Sequence, residues 1–463
     1  MSDAPAIEPA APTPGAAESE RRYRKAINAW SMYDWANSAF ATTIIAAVFP
    51  VFYRSMVLNA GKSPADATAY WGYSTSVSLL IVAILGPVLG TLADCTGSAK
   101  KLVVIFAWIG ALGTLLFAFL GQDAYLLASF LFTIGNIGFA GSNVFYEALL
   151  PHIAKREDLD RVSTRAYAIG YIGGGLLLAF NLLMLSKPGW FFLPDAQAAL
   201  RFVFASVAVW WVVFTIPLMR HVPEPPCAAS AEDMAHPWRA SFGRLAETCR
   251  KIRRYRQLLL FLAAFWIYND GIGTVIKMAT AYGDELGIGQ SDMITALIIT
   301  QFVGIPCAFG FGWLAGKIGA KTSVLLGLGI YVLISVLGFF MRSASHFYAL
   351  AILVGLVQGG TQALSRSMFA TMVPRCQSAE FFGFFSTGSK FAGIIGPVLF
   401  GAVSQAFQSS RAGIVSVSAL FIVGALLLFN VNEKEGARVA EEEDRKADAP
   451  AEPASISDAG AAS

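Results

Sequence analysis

The chain alternates between long apolar stretches and short polar segments, and twelve of the apolar stretches are about 20 residues long. Within each stretch, apolar residues recur on every face of a helix instead of along one stripe. A helix of about 20 apolar residues spans the roughly 30 Å hydrocarbon core of a bilayer. The pattern predicts an all-α membrane protein with twelve transmembrane helices, at residues 28–54, 71–93, 101–121, 124–149, 165–186, 201–219, 257–282, 291–314, 321–341, 347–371, 381–404 and 411–430.

The composition agrees with a membrane protein. Of 463 residues, 56% are hydrophobic and 14% are charged, whereas a soluble protein carries about 25% charged residues. The 34 Lys and Arg nearly balance the 31 Asp and Glu, and their placement does not favour nucleic acid binding. The five cysteines stand far apart without a CxxC pair, so we expect no disulfide framework, no metal site and no cofactor.

The loops on the two sides of the predicted membrane differ in basic residues. Counted up to Arg438, the set of segments that includes both termini carries 23 Lys and Arg, and the opposite set carries six. Lys and Arg accumulate on the cytoplasmic side of a membrane, so both termini are predicted to be cytoplasmic. Because no other targeting signal is present, we expect a bacterial inner membrane.

The longest internal connection divides the predicted helices into six and six. Near its end, at 242–254, apolar residues at helical spacing among cations predict a helix lying on an anionic membrane surface. The Ala-, Pro- and Glu-rich tails cannot bury a core and are expected to be disordered. The predicted units are a disordered tail, an N-terminal six-helix bundle, a cytoplasmic linker, a C-terminal six-helix bundle and a second disordered tail, at residues 1–20, 21–219, 220–256, 257–430 and 431–463.

The two halves share an internal repeat with a period of about 220 residues. The run from Gly90 to Gly97, at the end of span two, aligns with the run from Gly312 to Gly319 at the end of span eight. A proline likewise follows span four and span ten. Repeated halves of this kind are typical of a transporter whose substrate site lies between two pseudo-symmetric bundles near the membrane midplane.

The repeated loop also resembles a known signature. Gly90-x-Leu92-Ala93-Asp94-x-x-Gly97, followed by Lys100-Lys101, is similar to the loop motif of the major facilitator superfamily, although Cys95 and Ser98 replace its usual basic residues. The resemblance implies a gating role for Asp94, Gly90 and Gly97.

Further motifs lie in both halves of the chain. They are Tyr33-Asp34-Trp35-Ala36-Asn37-Ser38-Ala39-Phe40, Gly170-Tyr171-Ile172-Gly173-Gly174, Ser365-Arg366-Ser367-Met368-Phe369-Ala370, Glu380-Phe381-Phe382-Gly383-Phe384-Phe385, Lys390-Phe391-Ala392 and Gly396-Pro397. Together they resemble the unknown-major-facilitator family that includes the autophagy-related vacuolar effluxers, over residues 24–430. The resemblance implies amino-acid efflux.

Several ionisable residues fall inside the predicted spans, where each charge costs at least about 2.5 kcal/mol and should face a cavity or a partner. Acids in the first half and bases in the second suit a cytoplasmic gate that closes through ion pairs between halves. Alternatively, Arg366 and Glu147 bind the carboxylate and amine of a zwitterion, or the charges merely hold helices together. The residues are Asp34, Asp94, Glu147, Asp270, Lys277, Arg366 and Lys390.

Polar and aromatic residues add further expectations. Asn136 and Gln358 occupy matching mid-depth positions in spans four and ten, where they either line one cavity or bond neighbouring helices. The run Asn269-Asp270-Gly271-Ile272-Gly273-Thr274 predicts an interruption of span seven that frees backbone groups for substrate. Trp30, on the basic flank of span one, is expected at the headgroup level.

Together, these features predict a monomeric secondary transporter that moves a small polar solute, with amino acids among the candidates, by alternating access. The four histidines lie in loops or at their edges, so a carboxylate must carry any coupled proton. Asp34, with Asn37 near it, and Asp270 are the predicted carriers. Glu147 and Arg366 are predicted to act as one charged unit, with Lys390 as the alternative mate of Glu147 or Asp34.

A transporter-shaped sensor or assembly protein, which binds a solute without moving it, is the alternative function. The sequence contains no GxxxxGK[ST] loop, which disfavours direct ATP drive. It also lacks GxSxG and HExxH motifs, and we therefore expect no enzyme.

Overall fold

The computed structural model describes residues 14–226, 250, 252–392 and 395–448, and the regular elements of this part of the chain are helices. The α-helices are α1 (Pro14–Ala39), α2 (Phe49–Asn59), α3 (Pro64–Thr96), α4 (Ala99–Leu116), α5 (Tyr125–Ala148), α6 (Leu150–Ile153), α7 (Leu159–Ser186), α8 (Ala196–His221), α9 (Arg256–Glu285), α10 (Gln290–Ile318), α11 (Ala320–Phe339), α12 (Ala344–Met372), α13 (Ser378–Ala392), α14 (Ile395–Phe407), α15 (Ser410–Ser416), α16 (Ser418–Phe429) and α17 (Glu433–Asp448). A π-helical segment, Phe40–Val48, joins α1 to α2, and 3-10 turns lie at Phe117–Phe119, Arg156–Asp158, Pro188–Phe191, Ile252–Tyr255 and Arg375–Gln377.

The twelve predicted spans are all accounted for. Eleven helical runs in the described part of the chain are long and apolar enough to cross a membrane. The remaining span, predicted at 381–404, is covered by α13 and α14, between which residues 393 and 394 are not described. Large apolar side chains such as Leu112, Val209 and Leu426 remain exposed on the bundle surface, as expected where lipid replaces water.

The irregular segment of the first half lies in span one, whereas the predicted interruption of span seven is wrong. The helix α9 runs without a break through Asp270, whose backbone carbonyl accepts a bond from Thr274 Oγ1 at 2.7 Å. In span one, Thr42 Oγ1 donates to the Ser38 carbonyl at 3.0 Å and to the Gly174 carbonyl of α7 at 3.2 Å. Side-chain bonds of this kind accompany π segments, which are frequent at functional sites.

The internal repeat is visible in the backbone. Gly97 follows α3 in the left-handed conformation with φ 61°, and its counterpart Gly319 follows α10 with φ 86°. The 3-10 turns Arg156–Asp158 and Arg375–Gln377 also occupy equivalent places, before α7 and before α13. Positive φ favours glycine at both helix ends, which explains why the repeat retains it.

One end of the bundle carries both described chain ends, and we call it the termini face. Tyr23, in the first turns of α1, donates from its hydroxyl to Asp158 Oδ2 at 2.5 Å. Arg156, in the same 3-10 turn, pairs with Glu441 of α17 at 3.1 Å. The helices α1 and α17 therefore both contact the loop between α6 and α7.

The expected disorder of the tails is wrong for the parts that the structure describes. Residues 14–20 belong to α1, and 433–448 form α17. Asn432 Oδ1 accepts from the Glu435 amide at 3.2 Å and so satisfies an amide at the start of α17, whose Ala440 is fully buried against the bundle. The predicted linker helix falls mainly on residues 227–249, which lie outside the described residues, as does residue 251.

Two seams close the termini face between the halves. In the first, α3 packs against α13, and a Cβ atom added to Gly90 would lie 2.3 Å from the Ala379 carbonyl oxygen. In the second, α7 packs against α10 and α12, and Gly312 would meet Thr164 Oγ1 at the same 2.3 Å. The repeated glycine thus provides close approach in both seams, and a side chain at Gly90 would separate the halves.

Asp94 closes the first seam through a helix terminus. Its Oδ1 and Oδ2 accept from the backbone amides of Ala379 and Glu380, at 3.0 and 2.8 Å. These amides belong to the first turn of α13, where the helix dipole favours a carboxylate. Asp94 thus meets the second half through the positive end of a helix, and the pairing of carboxylates with cations at this gate stays a prediction.

We expect Asp94→Ala to destabilise the closed termini face, because charge-assisted hydrogen bonds contribute about 1.5–3 kcal/mol each. The purified variant should melt at a lower temperature than the wild type in the same detergent. Asp123→Ala removes an exposed acid from the loop before α5 and is the matched control. Equal melting temperatures for the two variants would contradict the role given to Asp94.

Candidate functional site

A polar cavity of about 260 Å³ lies between the two halves, and we call it the central chamber. It is bounded by α1 and its π segment, α5, α7, α10 and α12, so both halves contribute to it. Its lining residues are Asp34, Asn37, Ser38, Ala41, Thr42, Phe139, Asn143, Tyr146, Glu147, Tyr167, Gly170, Tyr171, Gln301, Gln358, Gln362 and Arg366.

Two further cavities adjoin the chamber. A lateral cavity of about 380 Å³ shares Asn143, Glu147, Gln362 and Arg366 with it, among others, and extends towards α3, α9 and α13. An apolar cavity of about 340 Å³ lies towards the opposite end of the bundle from the termini face, between α9, α10, α11 and α12. It shares Ala41, Thr42, Tyr171, Gln301 and Gln358 with the central chamber.

Arg366 is the cation of the chamber, and its exposed fraction is only 2%. Its Nε donates to Ser163 Oγ at 2.9 Å and its Nη2 donates to the Ser163 carbonyl at 3.0 Å. Its Nη1 and Nη2 also lie 3.3 and 3.4 Å from Asp34 Oδ2. Arg366 belongs to α12 of the second half, so these bonds tie it to α1 and α7 of the first.

Three aromatic rings surround the guanidinium. Its carbon lies 4.5 Å from the centre of the Tyr167 ring, 4.9 Å from that of Trp30 and 5.6 Å from that of Tyr146. Ring faces attract cations, and the attraction increases when water is excluded. The rings and Ser163 together hold Arg366 in one place.

Trp30 is fully buried, so its predicted place among headgroups is wrong. It stacks on Tyr146 with ring centres 4.4 Å apart, and its Nε1 donates to the Tyr146 carbonyl at 2.9 Å. The Tyr146 hydroxyl in turn donates to Asp34 Oδ2 at 2.9 Å. Trp30, on the basic flank of span one, therefore helps to hold Tyr146 at the site.

Asp34 is the acid that forms the described ion pair with Arg366, at 3.3 Å. Glu147, which the sequence assigns to that role, lines both the central chamber and the lateral cavity and is partly exposed there. The structure thus brings all three charges to one cavity. That Glu147 and Arg366 act as one unit stays a prediction.

The predicted neutral residues lie at the cavities, each with its own contacts. Asn37 lines the chamber and donates from Nδ2 to Asn143 Oδ1 at 2.6 Å. Asn136 lines the lateral cavity and donates to Ser78 Oγ at 2.6 Å, so it both bonds a neighbouring helix and borders a cavity. Gln358 borders the chamber and the apolar cavity.

Asp270 is not among the lining residues of these three cavities. It is buried within the second half, where its Oδ2 accepts from the Gly396 amide at 2.6 Å. This contact links α9 to α14. Lys390 and Lys277 belong to α13 and α9, but their side chains lie outside the described part of the structure.

Several residues of the site escaped the sequence analysis, namely the chamber residues Asn143, Tyr146, Tyr167 and Gln362, and Ser163, which bonds Arg366. A signal for some of them was available. Gln358, Gln362 and Arg366 are spaced by four residues and share one face of α12, and Asn136, Asn143 and Glu147 follow one face of α5. Polar residues at helical spacing within an apolar span indicate a cavity-facing stripe.

Comparisons with known proteins agree with this architecture. A family model described as "Vacuole effluxer Atg22 like" matches residues 22–441. YxiO of Bacillus subtilis (strain 168), an MFS-type transporter, is 39% identical over 424 residues, which cover 91% of this chain and 98% of YxiO. Autophagy-related protein 22-1 of Penicillium rubens is 24% identical over 455 residues, covering 80% of this chain and 76% of that protein.

Solved structures show the same fold. The major facilitator superfamily transporter FucP in its outward conformation superimposes with a TM-score of 0.67 at 15% identity, covering 89% of this chain and all of FucP. The predicted arrangement of twelve helices in two six-helix bundles is confirmed, as is the predicted resemblance to the vacuolar effluxers. The protein is an integral, multi-pass membrane protein, and the related proteins indicate membrane transport of small solutes.

We expect Arg366→Gln to destabilise the protein by about 3–5 kcal/mol, because it leaves Asp34 as a buried charge without its described counter-ion. The double variant Arg366→Gln with Asp34→Asn removes both charges and should recover most of the loss. Thermal melting of the purified variants measures the difference. Arg342→Gln alters an exposed arginine and serves as control. A double variant that melts no higher than the single one would show that the two residues are not energetically paired.

Proposed function

Because the chain belongs to the vacuole effluxer Atg22-like family, we propose that it is a secondary transporter for a zwitterionic solute of the amino-acid class. The solute would pass through the central chamber by alternating access. The observation that carries the proposal is Arg366, a guanidinium buried between the halves in a chamber that also holds the carboxylates of Asp34 and Glu147.

The chemistry of the chamber suits the two charged groups of such a solute. The planar guanidinium of Arg366 presents parallel N–H groups that match a carboxylate. The Glu147 carboxylate borders the same chamber and would attract the ammonium group. The adjoining apolar cavity would accept an apolar side chain, since it opens from the chamber at Tyr171 and Gln358.

We place the coupled proton on Asp34. It is a carboxylate inside the chamber, and it contacts the cation that the solute would use. Asp270, the other carrier suggested by the sequence, lies away from these cavities and is better suited to holding α9 against α14.

Alternating access would proceed by opening the termini face. The seams at Gly90 and Gly312 would separate, and the Asp94 carboxylate would leave the amino terminus of α13. The 23 Lys and Arg that the sequence assigns to this side, counted up to Arg438, support a cytoplasmic termini face in a bacterial inner membrane. The opposite side would then be periplasmic.

Solute flux into proteoliposomes tests the proposal. Each of the twenty common L-amino acids is assayed singly for uptake by the reconstituted wild type and for binding by thermal shift. Uptake that depends on a proton gradient supports the proposal. Binding without uptake would instead indicate a transporter-shaped sensor or assembly protein, and the absence of both would overturn the proposal.

Glu147→Gln sharpens this test. We expect it to raise the KM for the transported amino acid by about tenfold, equivalent to roughly 1.4 kcal/mol, while leaving inhibition by the matching carboxylic acid without an amine unchanged. Glu147→Asp keeps the charge and should retain most of the affinity. Equal losses for the amino acid and the amine-free acid would show that Glu147 does not recognise the ammonium group.

A further inference from the structure

Of the described hydrogen bonds that Arg366 donates, those to Asp34 are the longest. The bonds to Ser163 are 2.9 and 3.0 Å long, whereas Nη1 and Nη2 share a single oxygen, Asp34 Oδ2, at 3.3 and 3.4 Å. Charge-assisted N–H···O bonds are usually about 2.7–2.9 Å long, and guanidinium–carboxylate pairs often use both oxygens. The Asp34 carboxylate thus contacts the guanidinium through one oxygen only, at distances longer than is usual for a charge-assisted hydrogen bond.

Tyr146 holds Asp34 in this position. Its hydroxyl donates to the same Oδ2 at 2.9 Å, a shorter contact than either one from Arg366. Tyr146 is itself fixed by Trp30, which stacks on its ring and donates to its carbonyl.

We propose that the solute carboxylate displaces Asp34 from Nη1 and Nη2 of Arg366, and that Asp34 takes up one proton as it is displaced. This inference rests on the proposed function. The ion pair between Asp34 and Arg366 is exchanged for one between the solute and Arg366, and an O–H bond forms on Asp34 with a proton from the aqueous phase. Tyr146 is then a positioning residue for the coupling step.

The charge balance of the chamber supports the protonation of Asp34 when the solute carboxylate displaces it. Before binding, one guanidinium faces the carboxylates of Asp34 and Glu147. The titratable groups around Asp34 are Arg366 on α12, Tyr146 and Glu147 on α5, Tyr167 on α7, and its neighbour Tyr33 on α1. A solute carboxylate would add a further negative charge beside Asp34, and protonation of Asp34 removes it.

Calorimetry of the full-length protein in nanodiscs measures the proton directly. The probe is the tightest-binding common L-amino acid, titrated in phosphate and in Tris, whose ionisation enthalpies differ. We expect about one proton taken up per solute, so that raising the pH by one unit weakens binding by about tenfold while free Asp34 is ionised. Asp34→Asn should bind with no proton uptake and no such pH dependence.

The variant Tyr146→Phe isolates the positioning role. We expect tighter binding of the amino acid, because Asp34 is displaced more easily, with proton uptake retained. Tyr53→Phe also removes a buried hydroxyl, which lies 2.6 Å from Ser129 Oγ outside the chamber, and should change neither value. Binding without proton uptake in the wild type would overturn the displacement but leave the proposed function standing. No binding by any amino acid would overturn both.

A separate observation concerns α17, which docks on the second half. Gly436 packs against Met372 of α12, and Arg254 pairs with Glu443 at 2.7 Å. The Cys376 amide donates to Asp444 Oδ1 at 3.3 Å. The helix thereby covers the ends of α9 and α12 that lie at the termini face.

Arg156 of the first half forms an ion pair and a hydrogen bond with this docked helix. Its Nη1 lies 3.1 Å from Glu441 Oε1 and donates to the Ala437 carbonyl at 3.4 Å. The same nitrogen donates to the Thr371 carbonyl of α12 at 3.2 Å, and Nη2 lies 3.9 Å from Asp444 Oδ2. We infer that α17 is a latch, which stabilises the closed termini face by tying Arg156 to the second half.

Amide hydrogen exchange tests the latch on full-length variants in nanodiscs. The readout is the exchange of the Ala379 and Glu380 amides, which donate to Asp94 across the first seam. We expect Glu441→Ala with Asp444→Ala, and Arg156→Ala, to exchange there about fivefold faster than the wild type. Glu435→Ala removes a residue that bonds Arg438 on the same helix and should not change the rate.

The charge swap Arg156→Glu with Glu441→Arg provides the second arm, and it should restore most of the protection lost in Arg156→Glu. If Arg156→Ala accelerates exchange but the double change on α17 does not, the Thr371 bond alone closes the face and the latch is disproved. Unchanged exchange in all the variants would disprove it as well.

Discussion

The buried ion pair between Asp34 and Arg366 is the constraint around which the two halves are organised. A guanidinium within a membrane-spanning bundle requires both a counter-charge and partners for its N–H groups. Here the counter-charge comes from α1, the hydrogen bonds from Ser163 of α7, and the cation itself from α12. The pair therefore joins the halves at the point where a transported solute would have to pass. Neither half can supply this environment alone.

At the termini face, as in the chamber, polar groups of one half are satisfied by groups of the other half. Asp94 uses the backbone amides that begin α13, Ser163 uses the carbonyl of Ala363, and Arg156 reaches the docked α17. Each contact satisfies a polar group of one half with a group of the other. In the proposed alternating access, opening the face would expose all of these groups together, which would make the closed state cooperatively stable. The apolar cavity lies towards the other end of the bundle.

The internal repeat explains why these contacts come in related pairs. Gly90 and Gly312 permit the same close approach in the two seams, and Gly97 and Gly319 both follow their helices with positive φ. The charges do not follow the repeat, because the second half supplies the buried cation and the first half supplies its counter-ion. Symmetric packing thus carries an asymmetric site, which suits the binding of a solute with two unlike ends.

The sequence alone determined the class of the protein, the twelve spans, their division into two halves and five of the sixteen residues that line the chamber. Apolar length and the rarity of charges within spans are properties of local sequence, and the bilayer makes both of them indicators of membrane-spanning helices. The repeat is found by comparing the two halves of the sequence. Only the tertiary structure decided that Asp34 contacts Arg366, that Trp30 is buried beneath the site, that α9 continues through Asp270, and that 433–448 form a docked helix. These outcomes depend on the rotation of each helix and on contacts between residues hundreds of positions apart, and local patterns of apolar and charged residues do not encode either.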